Sequence, residues 1–101
     1  MNPHSLEQAR AITARRHEMT FRLKEILIDC LVLDREPEDI PDDCLLFGIG
    51  LGLDSVDALE IVVAIESNFD LRIEDSDMRE IRSINSIVDL VEFKTDLEDV
   101  A

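Results

Sequence analysis

All three glycines of the chain fall in one short stretch, Gly48-Ile49-Gly50-Leu51-Gly52, and Pro37 and Pro41 lie just ahead of it. Proline removes a backbone donor and blocks a helix interior. Glycine frees the backbone for turns and close approaches. Residues 34–52 therefore read as a long loop, with helical patterning on both sides of it. Before the loop, Met19, Leu23, Ile26, Leu27, Cys30 and Leu31 fall at i, i+4, i+7, i+8, i+11 and i+12. That spacing predicts a helix from about Met19 to Leu33 with one apolar face. After the loop, Asp54 is a good N-cap and Asp57 lies in the first turn, where negative charge suits the helix dipole. A second helix is predicted from Ser55 to Phe69. The β-branched run Ile61-Val62-Val63 would also suit a buried strand, but the cap, the spacing and the length favour a helix. Ser83 reads as the N-cap of a third helix reaching about Phe93, with Ile84, Ile87, Val88 and Val91 on its face. Residues 74–81 hold one or two irregular turns. The expected fold is all-α: a small four-helix bundle of three main helices and one short one, with the long loop between the first two.

Three segments are expected. Residues 1–17 form an N-terminal arm, partly helical or frayed, in which Ser5-Leu6-Glu7-Gln8 matches a capping box. Residues 18–94 form the helical domain, and residues 95–101 an acidic, frayed tail. At 101 residues with 46% apolar content and no Trp or Tyr, the core is built from Leu, Ile and Val.

The formal net charge is −14. A phosphate backbone would be repelled, which excludes nucleic acid as a partner, and basic protein surfaces are favoured. The charge is uneven. Residues 1–24 carry Arg10, Arg15, Arg16, Arg22 and Lys24 against Glu7 and Glu18, whereas the rest carries five basic and 22 acidic groups. Cys30 and Cys44 without a signal peptide fit a reducing cytoplasm. No metal site is expected: His4 and His17 have no ligand spacing with the cysteines. Counted from Asp34 as an EF-hand loop, position six is Asp39 and position twelve is Leu45, so that template fails. A dinucleotide fingerprint fails at Leu53, and no apolar run reaches the length of a membrane span.

The chemistry concentrates at Leu53-Asp54-Ser55-Val56-Asp57. A serine needs a base and an oxyanion hole to act as a nucleophile of its own. Both histidines lie far upstream, and no Gly-x-Ser-x-Gly is present, so catalysis by Ser55 is excluded. As a plain helix-start residue Ser55 needs no further explanation. As an attachment point for a phosphate-linked group it has an exposed hydroxyl, a helix N-terminus that favours a phosphodiester, and flanking acids that recruit a basic enzyme. The stripe Ile61, Val62, Ile65 and Phe69 reads as core. A second stripe, Val56, Leu59 and Val63, is either core too or a docking strip with an acidic rim.

Gly52-Leu53-Asp54-Ser55-Val56-Asp57-Ala58-Leu59-Glu60 resembles the phosphopantetheine attachment motif of acyl carrier proteins, commonly Leu-Gly-x-Asp-Ser-Leu-Asp. The resemblance spans about Met19 to Phe93. It implies a 4′-phosphopantetheine arm joined to Ser55 by a phosphopantetheinyl transferase that uses coenzyme A and a divalent metal. It also implies acyl intermediates carried on the arm as thioesters. Partners would be acyl-transferring or ketosynthase-type enzymes of fatty-acid, polyketide or related lipid synthesis, with basic docking surfaces. By the same resemblance Asp54, Asp57, Glu60 and Glu66 are electrostatic contacts, and Val56, Leu59 and Val63 apolar contacts. Ile61, Val62 and Ile65 would face an interior that shelters the acyl chain. The chain would be a monomeric carrier and not an enzyme. Val56 in place of leucine, the glycine-rich approach to the serine, Ser67 and Asn68 in place of acids, and the N-terminal arm point to a specialised rather than a housekeeping member. Two alternatives share these features: an aminoacyl or peptidyl carrier, D-alanyl carriers included, and an acidic helical adaptor with no prosthetic group.

Overall fold

A computed structural model of the protein describes residues 3–47 and 50–100. Helix α1 spans Pro3–Leu31, α2 Ser55–Phe69 and α3 Ile84–Val100. Short 3-10 turns occupy Pro37–Asp39 and Asp75–Glu80, the second being the expected short helix. The all-α expectation holds. The helix limits differ from the expected ones: α1 begins at Pro3 rather than about Met19 and runs unbroken to Leu31, and α3 continues past Phe93 to Val100. Met1, Asn2 and Ala101 lie outside the described residues.

The stretch of α1 around Arg16 has no apolar face, so a polar latch holds it. Arg16 Nη1 pairs with Asp89 Oδ1 at 2.9 Å and with Glu92 Oε2 at 3.1 Å on α3, and Nη2 reaches Asn85 Oδ1 at 3.5 Å. At its other end α1 closes through Val32 in the left-handed region (φ 52°), with the Leu33 amide donating to the Ile28 carbonyl at 3.0 Å. This 6→1 closure usually falls to glycine, and a β-branched residue at positive φ is strained.

α1 packs against both α2 and α3. Leu23 and Leu27 meet Ile61 and Ile65 of α2 and Ile84, Ile87, Val88 and Val91 of α3 in one buried cluster. Connecting segments contribute Ile40, Leu46, Leu71 and Ile81. The buried stripe of α1 also takes in Thr20 and Lys24. Burying an ammonium is tolerable only with a partner, and Lys24 Nζ meets Asp42 Oδ1 at 2.6 Å. Among the described residues no buried side-chain nitrogen or oxygen lacks a hydrogen-bond partner, and no helix is long and apolar enough to cross a membrane.

The loop is tied at both ends by backbone. The Leu46 amide donates to the Arg82 carbonyl, just ahead of α3, at 2.9 Å, and Leu45 bridges Ser83. The Leu53 amide donates to the Leu46 carbonyl at 2.9 Å, and Leu51 to Leu45 at 2.9 Å. Gly50 lies directly on the Leu45 backbone: a Cβ there would stand 1.8 Å from the Leu45 oxygen. Glycine is therefore demanded by the chain's own close approach. Gly52 has φ 70°. Gly48 and Ile49 lie outside the described residues.

Two outcomes are expected. In Gly50→Ala the Leu45 and Leu51 strands of the loop must separate, so the melting temperature falls and amide exchange at Leu51 and Leu53 accelerates, read by hydrogen exchange. The second outcome concerns Asp77, whose carboxyl is held below the usual carboxylate range by Lys94 at 2.6 Å and by the Glu74 amide, burial opposing both. A carboxyl depressed in the folded state adds stability that is complete above its unfolded pKa of about 3.9 and is lost as pH falls through the folded value. Asp77→Asn should cost about 1–2 kcal/mol at neutral pH. That difference should shrink as denaturant titrations are repeated below about pH 4.

Candidate functional site

The serine-bearing helix starts with a reciprocal cap. Asp54 is extended (φ −111°, ψ −176°), and its Oδ1 accepts the amides of Val56 at 3.0 Å and Asp57 at 3.1 Å. Asp57 Oδ2 accepts the Asp54 amide at 3.0 Å. Sequence reading singled out each aspartate but not their pairing, because the usual capping-box signature is Ser/Thr followed by Glu/Gln. The same device recurs twice: Asp39 accepts the Glu36 amide at 3.1 Å and Asp77 the Glu74 amide at 2.9 Å.

Ser55 is the first residue of α2 and is exposed. Among the described residues no side chain engages its hydroxyl, so no base is in place to activate it. The cap changes the account of how a phosphodiester would sit there. Asp54 already takes the amides of Val56 and Asp57, so the first turn offers an incoming phosphate little beyond the Ser55 amide and the helix dipole. Two carboxylates flank it as well. The donor set fits a group esterified to the hydroxyl and projecting into solvent, not one cradled by the helix end.

The remaining predicted residues separate into two faces of α2. Ile61 and Ile65 have no exposed surface and belong to the core, and Val62 is half-buried. Val56, Leu59 and Val63 are 62%, 65% and 61% exposed, so the second stripe is surface and not core. Its acids differ in what they are free to do. Glu60 is exposed. Asp54 and Asp57 are engaged in the cap. Glu66 is half-buried, and its Oε2 accepts the Ile73 amide at 2.9 Å, tying the loop after α2 back onto the helix. Across the groove from Glu60 stands Cys30 of α1, a free, half-buried thiol that donates to the Leu27 carbonyl at 3.8 Å. Burial raises its pKa, followed by the carboxylates of Glu60, Asp29 and Asp57. Sequence reading treated Cys30 as part of the α1 stripe; its place beside α2 depends on the antiparallel pairing of the two helices. Among the described residues no group of three or more His, Cys, Asp or Glu is placed to hold a metal ion.

Comparison with known proteins gives three concordant findings. A family profile described as a phosphopantetheine attachment site matches residues 22–91. An acyl carrier protein of Petrotoga mobilis (strain DSM 10674 / SJ95) is 28% identical over 82 residues, covering 81% of this chain and 93% of that protein. The crystal structure of an acyl carrier protein from Thermotoga maritima superposes with a TM-score of 0.65 at 28% identity, covering 85% of this chain and 94% of that one. The chain belongs to the acyl carrier protein family, whose members carry a covalently attached 4′-phosphopantetheine group.

Proposed function

We propose that Ser55 carries the phosphopantetheine arm and that the protein delivers acyl intermediates to partner enzymes of fatty-acid, polyketide or related lipid synthesis. The observation that carries this reading is an exposed hydroxyl with no partner among the described residues, at the first position of α2 and within the matched family segment. The arm supplies a thiol on which an acyl group is held as a thioester. The protein's own residues do the rest. Asp54 and Asp57 fix the helix start, so the Ser55 oxygen leaves the surface at a defined point. Among the described residues no base stands beside it, so the transferase takes the hydroxyl proton as the oxygen joins phosphorus and the nucleotide part of coenzyme A departs.

Docking falls to the exposed face of α2. Val56, Leu59 and Val63 form the apolar strip. Glu60 is the acid free to meet a basic partner surface, whereas Asp54, Asp57 and Glu66 act there while also holding local structure. Charges of this kind speed encounter more than they raise affinity. Val56, Ser67, Asn68 and the long basic start of α1 set this chain apart as a carrier serving a dedicated pathway in the cytoplasm.

Intact mass measured after incubation with a phosphopantetheinyl transferase and coenzyme A should rise by one phosphopantetheinyl unit in the native protein and not in Ser55→Ala. A gain that survives the substitution would place the arm elsewhere. The two acids should also separate. Glu60→Lys should slow modification about tenfold at low salt with an unchanged melting temperature, and the deficit should narrow as salt is added. Asp57→Ala should lose about 1 kcal/mol of stability as well, because it removes the acceptor of the Asp54 amide from the reciprocal cap.

A further inference from the structure

We propose that the outward face of α1 pairs with the same face of a second copy of this chain, antiparallel and about a two-fold axis, as a weak dimer. Arg10, Ala14, His17, Phe21, Glu25 and Ile28 recur at intervals of three and four residues, so they share one side of the helix. That side is turned away from the stripe of Leu23 and Leu27 that enters the core. All but the half-buried Ile28 are exposed, and Phe21 leaves 41% of its surface in water near the centre of the face. Arg16, by contrast, is held by α3. Among the described residues Arg10, Glu18 and Glu25 have no ion pair.

The face is its own complement. A two-fold contact sets one residue of the first copy against a second residue of the other, and the reverse. In a single antiparallel register Arg10 meets the partner's Glu25, Ala14 the partner's Phe21, and His17 the partner's Glu18. A base faces an acid, a small methyl leaves room for a ring, and an imidazole faces a carboxylate that accepts its N–H. The axis of that register falls between His17 and Glu18, near the middle of Pro3–Leu31. The two helices therefore overlap along their whole length, about 43 Å at 1.5 Å per residue. Charge is divided along α1 in the same sense. Beyond Phe21 the face opens into a pocket of about 560 Å³, where Glu25 and Asp29 join Asp34, Glu36 and Asp39 of the loop, with Arg35 the one base lining it. The basic half of a second α1 suits such a surface. The net charge of −14 on each copy opposes approach at long range. At about 0.15 M salt that field is screened beyond about 8 Å, whereas the facing pairs are in contact. Arg10, Ala14, His17 and Phe21 precede the segment matched by the family profile, which begins at residue 22. Pairing leaves the exposed strip of α2 uncovered, because α2 packs on the buried side of α1.

Sedimentation equilibrium of the protein at about 0.15 M salt reads the association directly. The weight-average mass should rise from 11.5 kDa towards twice that value as concentration increases. The expected Kd is on the order of 100 µM, because one helix face lies at the small end of specific interfaces. Arg10→Glu and Glu25→Arg should each weaken association about tenfold, since each sets two like-charged contacts across the axis. Mixing these two variants should restore it, and so should both substitutions in one chain, because every facing pair is then again opposite in charge. Melting temperature and helix content should match the native protein throughout, which separates loss of pairing from loss of fold. A mass that stays at 11.5 kDa up to about 1 mM overturns the dimer. Association that persists unchanged in both single variants lies on another surface and overturns this face. Failure of the mixture or of the double variant to reassociate overturns the register.

Discussion

The backbone of Leu46 is the tie on which the site depends. Its amide is given to Arg82, just before α3, and its carbonyl receives the amide of Leu53, just before α2. Its side chain has no exposed surface. One residue thus couples the starts of two helices to the core they share. The loop can close on it only because Gly50 lets the chain lie against Leu45 with no Cβ between them. Through this tie the position of Ser55 becomes a property of the bundle and not of a free loop.

The acidity of the chain is partly structural. Asp39, Asp57 and Asp77 each accept the amide of the residue three before them, and Asp54 satisfies two further amides at the start of α2. These carboxylates meet backbone donors that a helix start leaves unpaired. Asp42 neutralises the buried Lys24, and Asp89 and Glu92 hold Arg16. The acids without such a structural engagement are a smaller set, and it includes the exposed Glu60. A strongly negative composition therefore overstates how many charges are free for recognition.

α2 shows how one helix serves the core and the surface together. Ile61 and Ile65 close against α1 and α3, while Val56, Leu59 and Val63 remain open to water. Exposed apolar side chains in a contiguous strip mark a contact surface. They lie on the same exposed side of α2 as its first residue, Ser55, the attachment point proposed above.

Periodicity, cap residues and the clustering of glycine and proline were enough to read the all-α class, the three main helices and Ser55 at a helix start. These are local properties: a 3.6-residue repeat and a cap depend only on neighbours in the chain. Tertiary structure decided the rest. Apolar spacing set the helix limits at about Met19 and Phe93, but the helices reach Pro3 and Val100, and Arg16 joins the two across 73 residues of chain. Lys24 lay off the expected stripe, yet it is buried, because Asp42 comes to meet it. Which stripe of α2 is core, and that Cys30 faces Leu59 and Val63, followed only once α1 lay beside α2. Burial and ion pairing are set by partners distant in sequence, and no local pattern encodes where those partners will stand.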